Sequence, residues 1–180
     1  MFVIAVSFHP LFCHPGCQAP PGLAVSVRAD TTSAGDLRLA YHLQGGAQLR
    51  LPPPVLPGPA DDLWQHTCCE AFVAGAADTG YREFNFSPSG AWAVYAFRAY
   101  RERQPDWRAE VAPQIRCELA ANDVLLEAVI PRLLLPAAPA RLGLSVVLET
   151  VRGEKTYWAL AHVAAQPDFH LVASFTLPLP

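Results

Sequence analysis

The chain has 180 residues, 52% of them hydrophobic and 16% charged, which supplies apolar material for one buried core and is too apolar a balance for a disordered chain. Its 13 basic and 16 acidic residues leave a formal charge of -3, which provides no general attraction to nucleic-acid phosphates or anionic lipid. No stretch reaches the roughly 20 consecutive apolar residues of a membrane helix, so a single domain spanning 1–180 is expected, with neither nucleic acid nor membrane as a partner.

The opening Met1–Phe8 reads as a first strand rather than the apolar centre of a signal peptide, since no Lys or Arg precedes Arg28. Five cysteines, Cys13, Cys17, Cys68, Cys69 and Cys117, cannot all pair within the chain. A domain of this size has no need of disulfides, so reduced thiols and a cytoplasmic setting are expected rather than a secreted or periplasmic one. Cys13, His14 and Cys17 with His9 supply soft ligands, but no second pair at zinc-site spacing exists, and a loop with unrelated thiols is the simpler reading.

The 18 prolines leave little room for long helices. Alternation and turn signals predict strands over Leu23–Ala29, Asp36–Leu43, Leu63–Val73, Tyr81–Ser87, Ala91–Tyr100, Gln114–Ala120, Val124–Ile130, Arg141–Thr150, Lys155–His162 and Leu171–Leu177. One short helical turn is expected over Pro131–Leu135, where proline opens the turn and Pro136 stops it. Gly45-Gly46 reads as a hairpin turn, and the proline-dense Leu51–Pro59 as an extended surface connection. Regular short strands of this kind are how a sandwich or a barrel reads in sequence, and the expectation is an all-β domain, an antiparallel two-sheet β-sandwich of about ten strands.

Ser87-Pro88-Ser89-Gly90 suits a tight turn, and counting outward from it fixes a hairpin register. Phe84 and Phe86 then share a core face with Trp92, Val94 and Ala96, while Tyr81, Glu83 and Asn85 share the other with Ala93, Tyr95 and Phe97. In the preceding strand Glu70 falls on the polar side with His66, Cys68 and Phe72. If the two strands pair, Glu70 and Glu83 share one face. Carboxylate, amide and aromatic groups there would hydrogen-bond and stack against a sugar-like ligand, although the same pattern also fits an ordinary solvated face. The two carboxyls would equally suit general acid and base chemistry or a hard cation.

Leu63–Phe72, Tyr81–Trp92, Glu127–Pro131, Arg141–Ser145, Tyr157–His162 and Pro167–His170 together resemble the bacterial DOMON-like domain proteins over nearly the whole chain. The resemblance implies an immunoglobulin-like β-sandwich related to the family-nine carbohydrate-binding modules, in a wider group that binds sugars or haem. The chain departs from that pattern at Cys69, where Phe is more usual, and in the inserted-looking Phe12–Cys17. Haem held by Met and His, as in the wider group's cytochromes, is disfavoured because Met1 is the sole methionine, which leaves His66 and His162 as the candidate ligands.

The reading is therefore a non-catalytic module that requires no cofactor and binds a small molecule, most simply a carbohydrate. Its site is expected to comprise Trp64, His66, Glu70, Tyr81, Glu83, Asn85, Tyr95 and Trp158. A His-ligated haem redox domain and a ligand-free interaction scaffold are the alternatives. Ser87 and Ser89 lack the strand-to-helix context of a nucleophile elbow, and the Arg98, Arg101, Arg103, Arg108 cluster is interleaved with acids, as a solvated mixed-charge surface would be.

Overall fold

The computed structural model describes residues 8–76 and 80–179, so the proposed Met1–Phe8 strand lies, except for Phe8, outside the described residues. The described chain is built from strands β1 (His9–Cys13), β2 (Ala24–Thr31), β3 (Leu37–Gln44), β4 (Gly58–Pro59), β5 (Cys68–Gly75), β6 (Tyr81–Phe86), β7 (Ala91–Ala99), β8 (Glu102–Arg103), β9 (Gln114–Ala120), β10 (Asp123–Ile130), β11 (Pro139–Glu149), β12 (Lys155–Ala159) and β13 (Leu177–Pro178). All-β is correct, but a two-sheet immunoglobulin-like sandwich is not. The strands form one continuous sheet in the order β4-β7-β6-β5-β11-β12-β1-β2-β3-β10-β9, curled into a half-barrel, with β13 added to β11 and β8 to β7.

The physical reason lies in β1. Its first residues pair with β2 (His9 with Val27, Leu11 with Val25), and its last pair with β12 (Phe12 with Ala159, Cys13 with Trp158). A strand that changes partner halfway along joins what would otherwise be two sheets and carries the twist of both round the bend. Sequence alternation cannot distinguish this from a sandwich, because both present one apolar face. Pairing is antiparallel throughout except at β4, where the tail of the proline-rich connection runs parallel to the start of β7.

The curl encloses the core. Leu37, Leu39, Tyr41 and Leu43 of β3 and Leu126 and Ile130 of β10 meet Cys69, Ala71, Phe84, Phe86, Leu144 and Val146 from the other end of the sheet, all at most 2% exposed. Burying side chains of this size is worth about 1.5–3 kcal/mol each. Cys69, the departure from the resembled pattern, is one of them, a thiol packed as a small hydrophobe.

The local predictions divide cleanly. The Ser87–Gly90 turn forms, with Gly90 at φ 98 and its amide bonded to the Ser87 carbonyl at 3.0 Å. The register follows as counted: Phe86 faces Trp92, Phe84 faces Val94 and Glu83 faces Tyr95. Phe84 and Phe86 are fully buried, but Trp92 is only half-buried and lies outside the core cluster, because β7 is flanked on that side by nothing more than the two-residue β4. The helical turn at Arg132–Leu134 forms as a 3-10 turn after Pro131, but it is one of four among the described residues, with Gly46–Gln48, Leu63–Gln65 and Val172–Ser174. The last two replace the start of the predicted Leu63–Val73 strand and three residues of the predicted Leu171–Leu177 strand, of which only Leu177 is in a strand. Gly45-Gly46 is no hairpin turn: Gly45 is left-handed at φ 83 and leads β3 out into a 3-10 turn.

Candidate functional site

The outer face of β5, β6, β7 and β11 carries the polar residues. One row of opposed residues crosses six strands: Ala93, Asn85, Glu70, Ser145, Ala159 and Phe12. The neighbouring row holds Tyr95, Glu83, Phe72 and Gly143. Glu70 and Glu83 thus share a face on adjacent strands, as expected, offset diagonally by one pair. The alternative of an ordinary solvated face does not hold: Glu70 is 3% exposed, Glu83 6%, Asn85 1% and Ser145 2%. Two segments flank it. The 3-10 turn Leu63–Gln65 packs on β5, β6 and β7, and at the other end Phe169, Val172 and Phe175 pack with Phe72, Tyr81 and Phe97.

Glu70 is anchored from inside the core, where Tyr41 Oη donates to its backbone carbonyl at 2.8 Å. Its carboxyl receives one hydrogen bond, from Ser145 Oγ to Oε2 at 3.2 Å, and among the described residues its Oε1 has no partner. That oxygen is nonetheless not sealed off, since the sole fully enclosed side-chain nitrogen or oxygen without a partner, among the described residues, is Arg82 Nε. Burial, then the adjacent Glu83, pushes the Glu70 carboxyl up to about 8. Glu83 is pushed up by burial and held back by Asn85, whose Nδ2 donates to Oε1 at 2.7 Å, and by the charges of Arg101 and Arg103.

A second network closes the far end. The Arg101 amide donates to Tyr81 Oη at 3.1 Å, and the same hydroxyl is hydrogen-bonded to His170 Nδ1 at 2.8 Å. Nε2 faces Glu83 Oε2 at 3.7 Å, beyond hydrogen-bond range. Burial, with the Arg101 charge, pushes His170 down to about 4, so this contact joins a neutral imidazole to a carboxyl and is not an ion pair. Asp168 ties the segment down through Tyr100 Oη, Arg101 Nη2 and the His170 amide.

The aromatic wall is Tyr95, half-buried, with its hydroxyl donating to Asp61 Oδ1 at 2.5 Å and the Arg103 guanidinium 4.0 Å over its ring. Trp64 is 49% exposed on the Leu63–Gln65 turn. Three expected site residues fall elsewhere. Trp158 packs into the core, its Nε1 donating to Thr156 Oγ1, because its register partner Val146 faces inward. His66 is exposed and bonds Glu149 Oε2 at 2.7 Å, a pair that holds the Glu149 carboxyl below the usual carboxylate range together with Arg50. Tyr81 is fully buried and serves to hold His170. His162, the second haem candidate, bonds the Phe12 carbonyl, and His14 has both ring nitrogens engaged, by the Gly16 amide and the Ala164 carbonyl.

Sequence reasoning missed Ser145, His170, Asp61 and Arg103. Ser145 and His170 lay in segments quoted for the resemblance, Arg141–Ser145 and Pro167–His170, but were given no role, and Arg103 was read as part of a solvated mixed-charge surface.

No protein-family model matches the chain, and no curated protein matches it. Among solved structures it is similar to a protein from Bacteroides uniformis ATCC 8492 whose crystal structure carries the name "putative carbohydrate-binding protein". The two are 20% identical and superpose with a TM-score of 0.72 over 94% of this chain and 84% of the other, a likeness of fold.

Proposed function

We propose that the outer face of β5, β6, β7 and β11 binds a small neutral polar ligand of the carbohydrate class, in a non-catalytic module of DOMON-like, family-nine type. The observation that carries this reading is the Glu70 carboxyl, almost wholly buried yet with one oxygen unpartnered and unsealed. Burying a carboxyl with half its hydrogen-bonding capacity unused costs stability, and a ligand hydroxyl recovers that cost. Glu83, Asn85 and Ser145 supply further hydrogen-bonding groups, and Tyr95 and Trp64 supply rings for the apolar side of a pyranose. The name of the Bacteroides neighbour supports the same ligand class.

The test is a titration of isotope-labelled protein with glucose, galactose, mannose and their disaccharides at millimolar concentration, followed by NMR. Shifts concentrated on the Asn85 side-chain amide, the Trp64 indole and the amides flanking Tyr95 are expected, with Tyr95→Ala weakening the response. An unchanged spectrum, or shifts confined to the half of the sheet formed by β2, β3, β9 and β10, overturns the reading.

A further inference from the structure

The buried carboxyls carry a further inference, which rests on the ligand site proposed above. Ser145 donates to Glu70 Oε2, which fits the carbonyl oxygen of an un-ionised acid, and the oxygen left without a partner is Oε1. Glu83 is the better-supported anion, with an amide donor at 2.7 Å and the charges of Arg101 and Arg103.

The titratable and charged groups around the pair come from every element packed on it. They are Tyr41 of β3, Cys68 and Cys69 of β5, Tyr81 of β6, Tyr95 of β7, Arg103 of β8, the Arg101 guanidinium, and Asp168 and His170 of the C-terminal segment. His170 is neutral, and no Lys, Arg or His lies within ion-pair distance of Glu70 among the described residues. Two like charges on diagonal neighbours of a largely buried sheet face cannot both form cheaply, and the unsupported member keeps the proton.

We propose that the two carboxyls hold one proton between them, resident on Glu70 Oε1 and aimed at the ligand, so that the site offers an acid O–H donor beside a carboxylate acceptor and selects neutral sugars over their uronic acids. A sugar hydroxyl both accepts from Glu70 and donates to Glu83. A ligand carboxylate has no proton to donate and places a second negative charge beside Glu83 in a site with little water to screen it.

The experiment reads proton and ligand separately. Carbon-detected NMR of the glutamate carboxyls, from pH 4 to pH 10, is expected to show Glu70 titrating last, near its value of about 8. Titration with glucose, galactose, glucuronate and galacturonate at pH 6.5 is expected to give binding by the neutral pair, and at least about tenfold weaker binding by the acids. Glu70→Gln, whose amide N–H replaces the acid O–H, should bind neutral sugars more tightly than Glu70→Ala does, whereas Glu83→Gln should lose about tenfold or more relative to the parent. Glu70 titrating in the ordinary carboxylate range overturns the proton assignment whatever binds. Uronates binding as tightly as neutral sugars overturn the selectivity alone. Silence from every sugar, with Glu70 still titrating high, overturns the carbohydrate reading and the selectivity while leaving the proton assignment standing.

Discussion

Gly143 lies so close beneath the ring of Phe175 that a β-carbon there would sit 2.9 Å from Cε1, closer than real β-carbon contacts come. Phe175 is 2% exposed and stacks on Phe72 at 5.6 Å between centroids, so the ring has no free space to retreat into. The C-terminal segment that covers one end of the candidate site is therefore seated on a missing side chain. Gly143→Ala is expected to destabilise the protein by roughly 1–3 kcal/mol through overpacking. Adding Phe175→Leu should recover part of that loss, because a smaller side chain vacates the space. Denaturant melts of the single and double variants check this, and additive losses would mean that the two residues do not clash.

The hairpin register makes a second prediction. Phe86 is fully buried opposite Trp92 and beside Phe84, whose ring centroid is 6.4 Å away. Phe86→Ala should cost roughly 3–5 kcal/mol, whereas Trp92→Ala, at a half-buried position outside the core cluster, should cost clearly less. Equal losses would show that the flank of β7 is better packed than the burial of Trp92 implies.

Much of this arrangement was legible in sequence where the signal is local. Period-two alternation and the Ser87–Gly90 turn fixed which face of β6 and β7 each side chain takes, and so placed Glu83, Asn85 and Tyr95 together. What covers that face was not legible, since whether Phe169 and Phe175 fold back over Phe72 depends on contacts about a hundred residues apart. Burial of Glu70 was hidden for the same reason, because a carboxyl on a strand reads as a solvated one. Trp158 misled because a tryptophan in a strand looks the same facing either way until the register of β11 with β12 is known. The closure of two half-sheets through β1 rests on five residues that exchange partners midway, a feature with no compositional mark.

The state of Glu70 sets a pH dependence of stability. Its folded value of about 8 lies above the 4.5 of an unfolded glutamate, so between those values the native state holds a proton that the unfolded chain has released. Stability contributed by this group is full below 4.5, falls as pH rises through the window and levels off above about 8. Glu70→Gln cannot ionise, so the variant should gain stability relative to the parent as pH rises from 5 towards 8. A difference curve that stays flat, measured by thermal or urea melts across that range, would mean that Glu70 ionises freely in the folded protein.

His170 works in the opposite direction. Its value of about 4 lies below the 6.5 of an unfolded histidine, because the imidazole is buried against Phe72, Tyr81 and Phe97 and faces the Arg101 charge. Between those values the unfolded chain binds a proton that the native state refuses, so stability falls as pH drops from 6.5 to about 4 and then levels off. With the side chain only 15% exposed, the loss across the window is on the order of 2–3 kcal/mol. His170→Gln keeps a hydrogen-bonding group for Tyr81 without the titration, so its stability at neutral pH should be lower than the parent's but its decline towards pH 4 shallower. The two stability curves should therefore converge on acidification. Parallel curves over this range would show that His170 accepts its proton in the native state as readily as in the unfolded chain, with Glu83 as its ionic partner.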